Sequence, residues 1–583
     1  MSIPQTPSPL AAIIASGTYD MNWFSGSTPE AKVQAAINAA FADGAPRVLV
    51  HGPYNANLVA FNNSVLMVIE GGNWDVRDLR AYGAYGDGVT DDTAAIRAWA
   101  GAAGYSYANK GTYVISPLTS FNMLANTTLE MSPDAVLFLQ AACQIPADSY
   151  LFVATLGADN VSFLNVNVNG NRLNQTRRIR GFVGFKANNP KIDGCHFFNF
   201  GGSAAVITNC PGTIFTRNLI ELCGRKWIGA SGIQGEQGFS ILCDVATTDP
   251  FYSPGAIIAF NRVRFNGWDG INFSSPYTKC VDNISHNNGL EFLTVGASGI
   301  YCTSGATMGP HGSLIEGNTV YANTGNGIDT GPNTIPILGQ EVVHNQCYNN
   351  MEAGIVRADV QYDRTEDNKC WNNFQPSTKD ENGNVVTITQ QTIEKGGITL
   401  TSRNPGGAVD TSTLRRNFCY DDQGGKTQVY GIQMGSNSGG PGSPSHLTNL
   451  ILEDNNLVGN LTAAVGSAES GKVAPWVDAG TYVSMRRNQG YVTTITTGAV
   501  IPNVAEFITV TYAGATNLTG ISSGRVEDRL TLLFTNGNAT LINSATLILR
   551  GGVNVTPANG NTITLLCDTT SGGGTWREIS RNF

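Results

Sequence analysis

From residue 218 onward, short apolar runs are punctuated by an Asn that keeps returning: Asn218, Asn261, Asn283, Asn318, Asn345, Asn368, Asn417, Asn455 and Asn488. Two places after it stand Ile220, Val263, Ser285, Val320, Cys347, Cys370, Cys419 and Leu457, nearly all apolar or small. Five places after it stand Cys223, Asn266, Asn288, Asn323, Asn350, Asn373, Asp422 and Asn460. A Gly-Ile pair then closes most repeats: Gly232-Ile233, Gly270-Ile271, Gly299-Ile300, Gly327-Ile328, Gly354-Ile355, Gly397-Ile398 and Gly431-Ile432. A pattern that recurs every 20 to 50 residues or so predicts a solenoid. Stacked coils set like residues above like, about 4.8 Å apart. Asn side chains at a bend can then bond from coil to coil and satisfy buried polar groups. Cys347, Cys370 and Cys419 read as small core residues of one column, because a free thiol packs as a small hydrophobe.

The spacing from Asn to Gly-Ile is nine residues at its shortest, but 14 after Asn218, 16 after Asn283, 29 after Asn368 and 14 after Asn417. Insertions of this kind gather at particular turns of a solenoid and wall a groove. Upstream, Val33, Ala36, Ile37, Ala40 and Phe41 recur at helical spacing behind Thr28-Pro29, and the strand-like run Arg47 to His51 follows. Ala95, Ile96 and Trp99 mark a second helix, with Thr90 or Asp91 as its cap and Asp92 in its first turn. In the tail, RLTLLF, ATLI, ATLILR and NTITLLCD alternate between Gly- and Asn-rich turns. The expected fold is all-β: a solenoid of stacked parallel strands, a parallel β-helix, followed by a C-terminal antiparallel β-sandwich. The expected division is residues 1–75, a small α+β module; 76–120, the cap; 121–490, the β-helix; and 491–583, the sandwich.

Composition narrows the function. Charged residues make up 14% of the 583-residue chain, against about 25% in an average domain. Net charge is −9 and the pI is about 5.2, which disfavours a nucleic-acid partner. An acidic polymer would need a local basic patch, for which Arg172, Arg177, Arg178 and Arg180 are the candidates. No apolar run is long enough for a membrane span, so no membrane insertion is expected. The opening MSIPQTPSPL lacks the pattern of a signal peptide. Eleven cysteines without a CxxC pair suggest buried thiols of a protein folded in a reducing cytoplasm. No metal site is expected, since His286 has no second ligand at coordinating spacing, and no cofactor is expected.

Alternation after Gly-Ile turns the next residue outward, giving the column Gln234, Asn272, Tyr301, Asp329, Val356, Thr399 and Gln433. Asp329 is its only carboxylate. If Val356, Ala358 and Val360 are the inward alternates of a slipped strand, Arg357 and Asp359 face outward beside it. Polysaccharide cleavage by hydrolysis needs two carboxyl groups about 5 to 9.5 Å apart. Asp329 and Asp359 would stand about 10 Å apart, one coil up and offset along the strand. Glu236, three coils away at about 14 Å, is too far to pair with Asp329, whereas Glu291, in the lengthened coil of Asn283, could swing toward it. For elimination, Arg357 or Tyr301 would serve as acid or base. A second outward column, Arg264, His286, Tyr321, Tyr348, Trp371 and Tyr420, suits either sugar stacking or a subunit interface.

The segment GAYGDGVTDDTAAIRAW resembles the N-terminal cap of the pectate-lyase-like superfamily of β-helices, in the variant carried by phage tailspike polysaccharide depolymerases. The ending GGGTWREISRNF resembles the C-terminal domains of phage tail fibres and tailspikes. The resemblance implies a right-handed parallel β-helix with an N-terminal capping helix, in a virion protein that is a homotrimer attached to the phage tail or baseplate through its N-terminal region. It implies an enzyme that depolymerises a bacterial surface polysaccharide (capsule, lipopolysaccharide or exopolysaccharide) by hydrolysis or β-elimination. Two other readings stay open: a glycan-binding tail fibre without catalysis, and a secreted pectinase-like enzyme, which the missing signal peptide disfavours.

Overall fold

The computed structural model describes residues 18–42, 47–50, 66–69, 77–227, 235–291, 293, 296–303, 309–331, 336–389, 394–403, 408–435, 446–466, 483–486, 493–496, 498–502, 507–522, 529–569 and 575–583. It divides into two compact units: Met1–Ser313 with Lys379–Thr389, and Leu314–Thr378 with Gln390–Phe583. The expectations at Gln234, at Gly232-Ile233 and at Asn488 lie outside the described residues.

In the first unit the chain opens with three parallel strands, Thr18–Asp20, Arg47–Val50 and Leu66–Ile69, beside the helix Pro29–Ala42. That helix starts at Pro29 as its sequence predicts, with the Thr28 hydroxyl accepting the Ala31 N–H at 3.3 Å. The second helix, Thr93–Ala100, buries Ala95, Ile96, Trp99 and Ala100. Its cap differs from the expected one. Asp91 accepts the first-turn N–H of Thr93 at 2.9 Å, while Asp92, at the N-cap, turns back to accept the N–H groups of Tyr85 and Gly86 at 2.7 and 3.1 Å. The acidic pair therefore ties the glycine loop to the helix.

The coils that follow pair strictly parallel along successive ladders, as in Leu219–Glu221 with Arg262–Arg264 and Ile284–His286. In the second unit the same arrangement links Thr319–Tyr321, Gln346–Tyr348, Lys369–Trp371 and Phe418–Tyr420. The molecule is a parallel β-helix. Each corner before the recurring Asn is left-handed: Gly317 stands before Asn318, and the others hold a residue with φ near +55°, Arg217, Phe260, Asp282, His344, Asp367, Arg416 and Asp454. Such a conformation costs roughly 1 to 2 kcal/mol for a residue with a Cβ. The Asn that follows offsets this cost. Asn345 accepts the N–H and side-chain amide of Asn318 at 3.0 and 2.9 Å, and donates to Ile315 O and to Asn368 Oδ1 at 2.9 and 3.0 Å. The ladder runs Asn218–Asn261–Asn283 in one unit and Asn318–Asn345–Asn368–Asn417–Asn455 in the other. Asn345→Ala should therefore cost about 3 kcal/mol in denaturant unfolding, since it strands buried partners on both sides.

The five-place column is a second ladder with one correction. Asn373 bonds to Gln428, which bonds to Asn460, and Asp422 sits outside it, bonded to Asn372. The insertion after Asn417 moved the ladder position from Asp422 to Gln428. Another insertion moved the Gly-Ile position in the coil of Asn218: Phe239 pairs with Ile271, so Gly238-Phe239 occupies the place assigned to Gly232-Ile233. Where the pair is kept, Gly is sterically required. A Cβ on Gly327 or Gly354 would meet the Gly carbonyl of the next coil at 2.4 or 2.6 Å.

Cys347, Cys370 and Cys419 stack in register, and all eleven cysteines are buried. Desolvation pushes the thiols of Cys370 and Cys419 well above the ordinary range. A thiol reagent should find none of the eleven reactive in the native protein and all of them after denaturation.

The tail forms a mixed sheet. Thr493–Ile495, Phe507–Val510 and Arg529–Phe534 run parallel. The antiparallel pairing expected of this region joins Arg529–Phe534, Thr562–Thr569 and Thr575–Arg581. No helix among the described residues is long and apolar enough to cross a membrane.

Candidate functional site

Asp329 is the middle residue of the strand Ile328–Thr330 and pairs in register with Val356, which pairs with Thr399. Ile328 and Thr330 point into the coil, so Asp329 points out, as its column predicts; yet it is only 6% exposed. What covers it is a cluster of Glu394, from the longest insertion, and Arg403, from beyond the strand that follows it. Arg403, two places beyond the strand Gly396–Thr401, forks onto Asp329 with Nη1 to Oδ1 at 2.8 Å and Nη2 to Oδ2 at 3.0 Å. The same Nη2 donates to Glu394 Oε1 at 2.7 Å, and Nε to that oxygen at 3.2 Å. Asn326 Nδ2 bridges the same carboxylates from another side, at 3.0 Å to Asp329 Oδ2 and 2.8 Å to Glu394 Oε2.

These bridges fix the spacing of the two acids. The two Nη2 bonds laid end to end set an upper limit of about 5.7 Å between an oxygen of Asp329 and one of Glu394. Desolvation opposes the charge of Arg403, but the two carboxylates outweigh it and hold its pKa well above the ordinary value. Arg403 keeps 24% side-chain exposure over carboxylates that keep 8% and 5%. The cluster is thus two buried acids under one partly exposed cation, which a ligand meets first.

The structure corrects two expectations beside this cluster. Asp359 is not outward on a slipped strand. It is a corner with φ +48°, turning the chain from Ile355–Ala358 into Val360–Gln361, and it is 1% exposed. Its Oδ2 accepts the backbone N–H of Arg403 at 3.1 Å, so it positions that residue from behind. Arg357 is not a surface residue either. It lies in the inward column between Thr330 and Leu400, fully buried. The partner that the sequence did not reveal is Asp363, whose Oδ2 accepts from Nε and Nη2 at 2.9 and 2.6 Å, with Gln340 Oε1 taking Nη1 at 2.5 Å.

Glu236 and Glu291 belong to the first unit and are ion-paired there. Glu236 accepts from Arg180 Nε and the Ser203 N–H at 2.8 and 2.9 Å and pairs with Arg178 at 3.0 Å. Glu291 accepts from Arg225 Nε at 2.9 Å and the Lys226 N–H at 3.2 Å, partners within its own unit. The two glutamates are neighbours: a Cβ on Gly235 would touch the Cβ of Glu291 at 3.5 Å. Of the four arginines read as a basic patch, Arg178 and Arg180 are neutralised by Asp148 and Glu236 together, and Arg177 donates to the carbonyls of Gln144 and Ile145. Tyr301 is half-buried in the strand Ile300–Cys302, in register with Asn272.

The second outward column is a continuous ring stack in the second unit. Tyr321, Tyr348, Trp371 and Tyr420 stand 4.9, 4.2 and 6.1 Å apart with interplanar angles of 5°, 14° and 6°. Parallel rings at this spacing occupy each other's faces. The inner members therefore offer a ligand or a partner their edges, not the faces that sugar stacking uses. Lys369 Nζ lies 4.7 Å from the Trp371 ring centroid. In the first unit the column is polar: Glu221 accepts from Arg264 at 2.7 Å and contacts His196 Nε2 at 3.0 Å, and these contacts, that with His196 foremost, hold its carboxyl below the usual range.

Sequence reasoning missed Glu394, Arg403 and Asn326. The available signal was length: the 29-residue gap after Asn368 marks the insertion that carries Glu394. Among the described residues no group of His, Cys, Asp or Glu is arranged to hold a metal ion.

No family model matches the chain, and no curated protein matches it. Similar solved structures include the A-module of the mannuronan C-5 epimerase AlgE4 of Azotobacter vinelandii, at 16% identity over 71% of this chain and 97% of that one, TM-score 0.48. They also include the Dettilon tailspike protein, at 19% identity over 66% of this chain and 67% of that one, TM-score 0.47. Tailspike protein 3 of bacteriophage CBA120 is similar at 13% identity over 87% and 69%, TM-score 0.41.

Proposed function

We propose that this chain binds a bacterial surface polysaccharide and cleaves its backbone, with Asp329 and Glu394 as the reacting carboxyl pair. The observation that carries the reading is the bridged spacing of those two acids. An upper limit of about 5.7 Å between their oxygens suits the roughly 5 to 5.5 Å separation at which one carboxyl protonates the glycosidic oxygen while the other attacks or shields the anomeric carbon. Arg403 is the positioning residue. It aligns both carboxylates and keeps one exposed face for an incoming sugar. Asp359 supports it through the backbone.

In this reading the chain is a tailspike on the virion, attached to the phage tail through its N-terminal module. It works as a homotrimer, and the ring edges of Tyr321, Tyr348, Trp371 and Tyr420 line the subunit interface. A second reading has one observation in its favour. Every carboxylate of both clusters is engaged by an arginine, which suits a rigid glycan-binding fibre that never cuts. Incubation with surface polysaccharides, followed by molar mass, separates the two: falling chain length supports cleavage, and binding at constant length supports the fibre. Ultraviolet-absorbing unsaturated ends among the products would reassign the pair from hydrolysis to elimination.

A further inference from the structure

We propose that Arg172 and Arg225, in the first unit, form a binding site for the carboxylate of an acidic sugar, and that Glu381 occupies it from within the chain. The inference deepens the glycan-binding reading by naming a substrate class, and it rests on that reading for the nature of the polymer.

The two guanidiniums are 7% and 11% exposed and differ sharply in how well they are bonded. Arg225 is satisfied: Nε donates to Glu291 at 2.9 Å, and Nη1 to Phe265 O at 3.2 Å and Glu381 Oε2 at 3.0 Å. Arg172 is not. Its Nη1 donates to Lys226 O at 3.1 Å, its Nη2 reaches Glu381 Oε1 only at 3.5 Å, and its buried Nε has no partner. Arginine and carboxylate bind best as a two-pronged fork, two N–H groups onto two oxygens. Glu381 supplies one long prong. It reaches in from a hairpin, Thr378–Lys379 paired with Val385–Val386, whose turn is fixed by Asp380 accepting the Asn382 and Asn384 N–H groups at 2.9 and 2.8 Å. Asn287 Nδ2 fastens that hairpin to the coil of Asn283 through Lys379 O at 2.8 Å. Held in this way, Glu381 does not reach Nε; a free carboxylate can settle onto Nε and Nη2 together.

Charge counts the same way. Two arginines face Glu291 and Glu381, so the group is neutral while Glu381 is seated. With Glu381 displaced, one positive charge remains, enough for one carboxylate of a uronic acid. Desolvation, with Arg225 beside it, pulls the pKa of Arg172 below its ordinary value, as expected where negative charge is short.

Calorimetry of the full chain with sodium glucuronate tests this, with glucose and inorganic phosphate as controls. Glu381→Gln removes the internal competitor and should bind glucuronate about tenfold tighter than the unaltered chain, the worth of one charge-assisted hydrogen bond. Glu381→Asp keeps the charge and should show no such gain. Adding Arg172→Gln to Glu381→Gln should abolish binding, and glucose should not bind. The proposal is overturned if Glu381→Gln binds no tighter than the unaltered chain, if Glu381→Asp gains as much, or if phosphate binds as well as glucuronate. Asp329 is untouched and the readout is binding, so a chain that cleaves nothing can still pass, and one that cleaves can still fail.

Discussion

Asp329→Asn is expected to lower polysaccharide cleavage by about 10²- to 10⁴-fold, the usual worth of a positioned acid or base, while leaving the fold intact. Asn is nearly isosteric with Asp and can still accept from Arg403, and Glu394 remains to balance that cation. The loss should fall on turnover and not on binding, because the carboxylate is only 6% exposed and its role lies in the reaction. Glu394→Gln should show a loss of the same order. Glu236→Gln is the informative comparison. Its carboxylate is committed to Arg178, Arg180 and Ser203, so removing its charge should leave cleavage largely unchanged. Rates measured as reducing ends released per unit time distinguish the sites. An inactive Glu236→Gln beside an active Asp329→Asn would move the chemistry to the first unit.

Asp363→Ala should destabilise the protein by about 3 to 5 kcal/mol in denaturant unfolding. It removes the carboxylate that meets Arg357 at 2.6 and 2.9 Å where both side chains are fully buried. The guanidinium would be left inside the coil with only Gln340 as a side-chain partner. The opposite change is milder. Replacing both members together, Arg357→Met with Asp363→Leu, removes both buried charges and should cost far less than Asp363→Ala alone. A double variant as unstable as the single one would show that the pair contributes packing and not charge compensation.

The repeat was legible because it is a steric and hydrogen-bonding necessity written in residue types. Asn218 through Asn455 stand at the corners they predict, and the cysteine column stacks in register. Asp329 was legible as an outward carboxylate for the same reason, since strand alternation is local. Arg357 was misread because the strand was taken to slip by one place, whereas unbroken alternation from Ile355 puts it inside, where Asp363 pairs with it; Asp359 was misread because alternation was carried past a corner. The left-handed residue Asp359 ends one strand and begins another, and a period-two argument cannot see a bend. The partners that matter most, Glu394 to Asp329 and Glu381 to Arg172, lie 65 and 209 residues away in sequence and come from the insertion after Asn368. Insertions carry no repeat, so their docking is decided by tertiary contacts alone. The ring stack was legible as a column, but its face-to-face packing, which leaves the inner rings only their edges, needed coordinates.

The central claim is that this β-helix shortens a glycan. Its most direct test is the molar mass of a panel of purified bacterial surface polysaccharides, acidic and neutral, followed by size-exclusion chromatography with light scattering during incubation with the unaltered chain. The account predicts that at least one polymer, an acidic one, falls progressively to short oligosaccharides. A polymer that binds the protein yet keeps its molar mass throughout would contradict it and leave a glycan-binding fibre in its place.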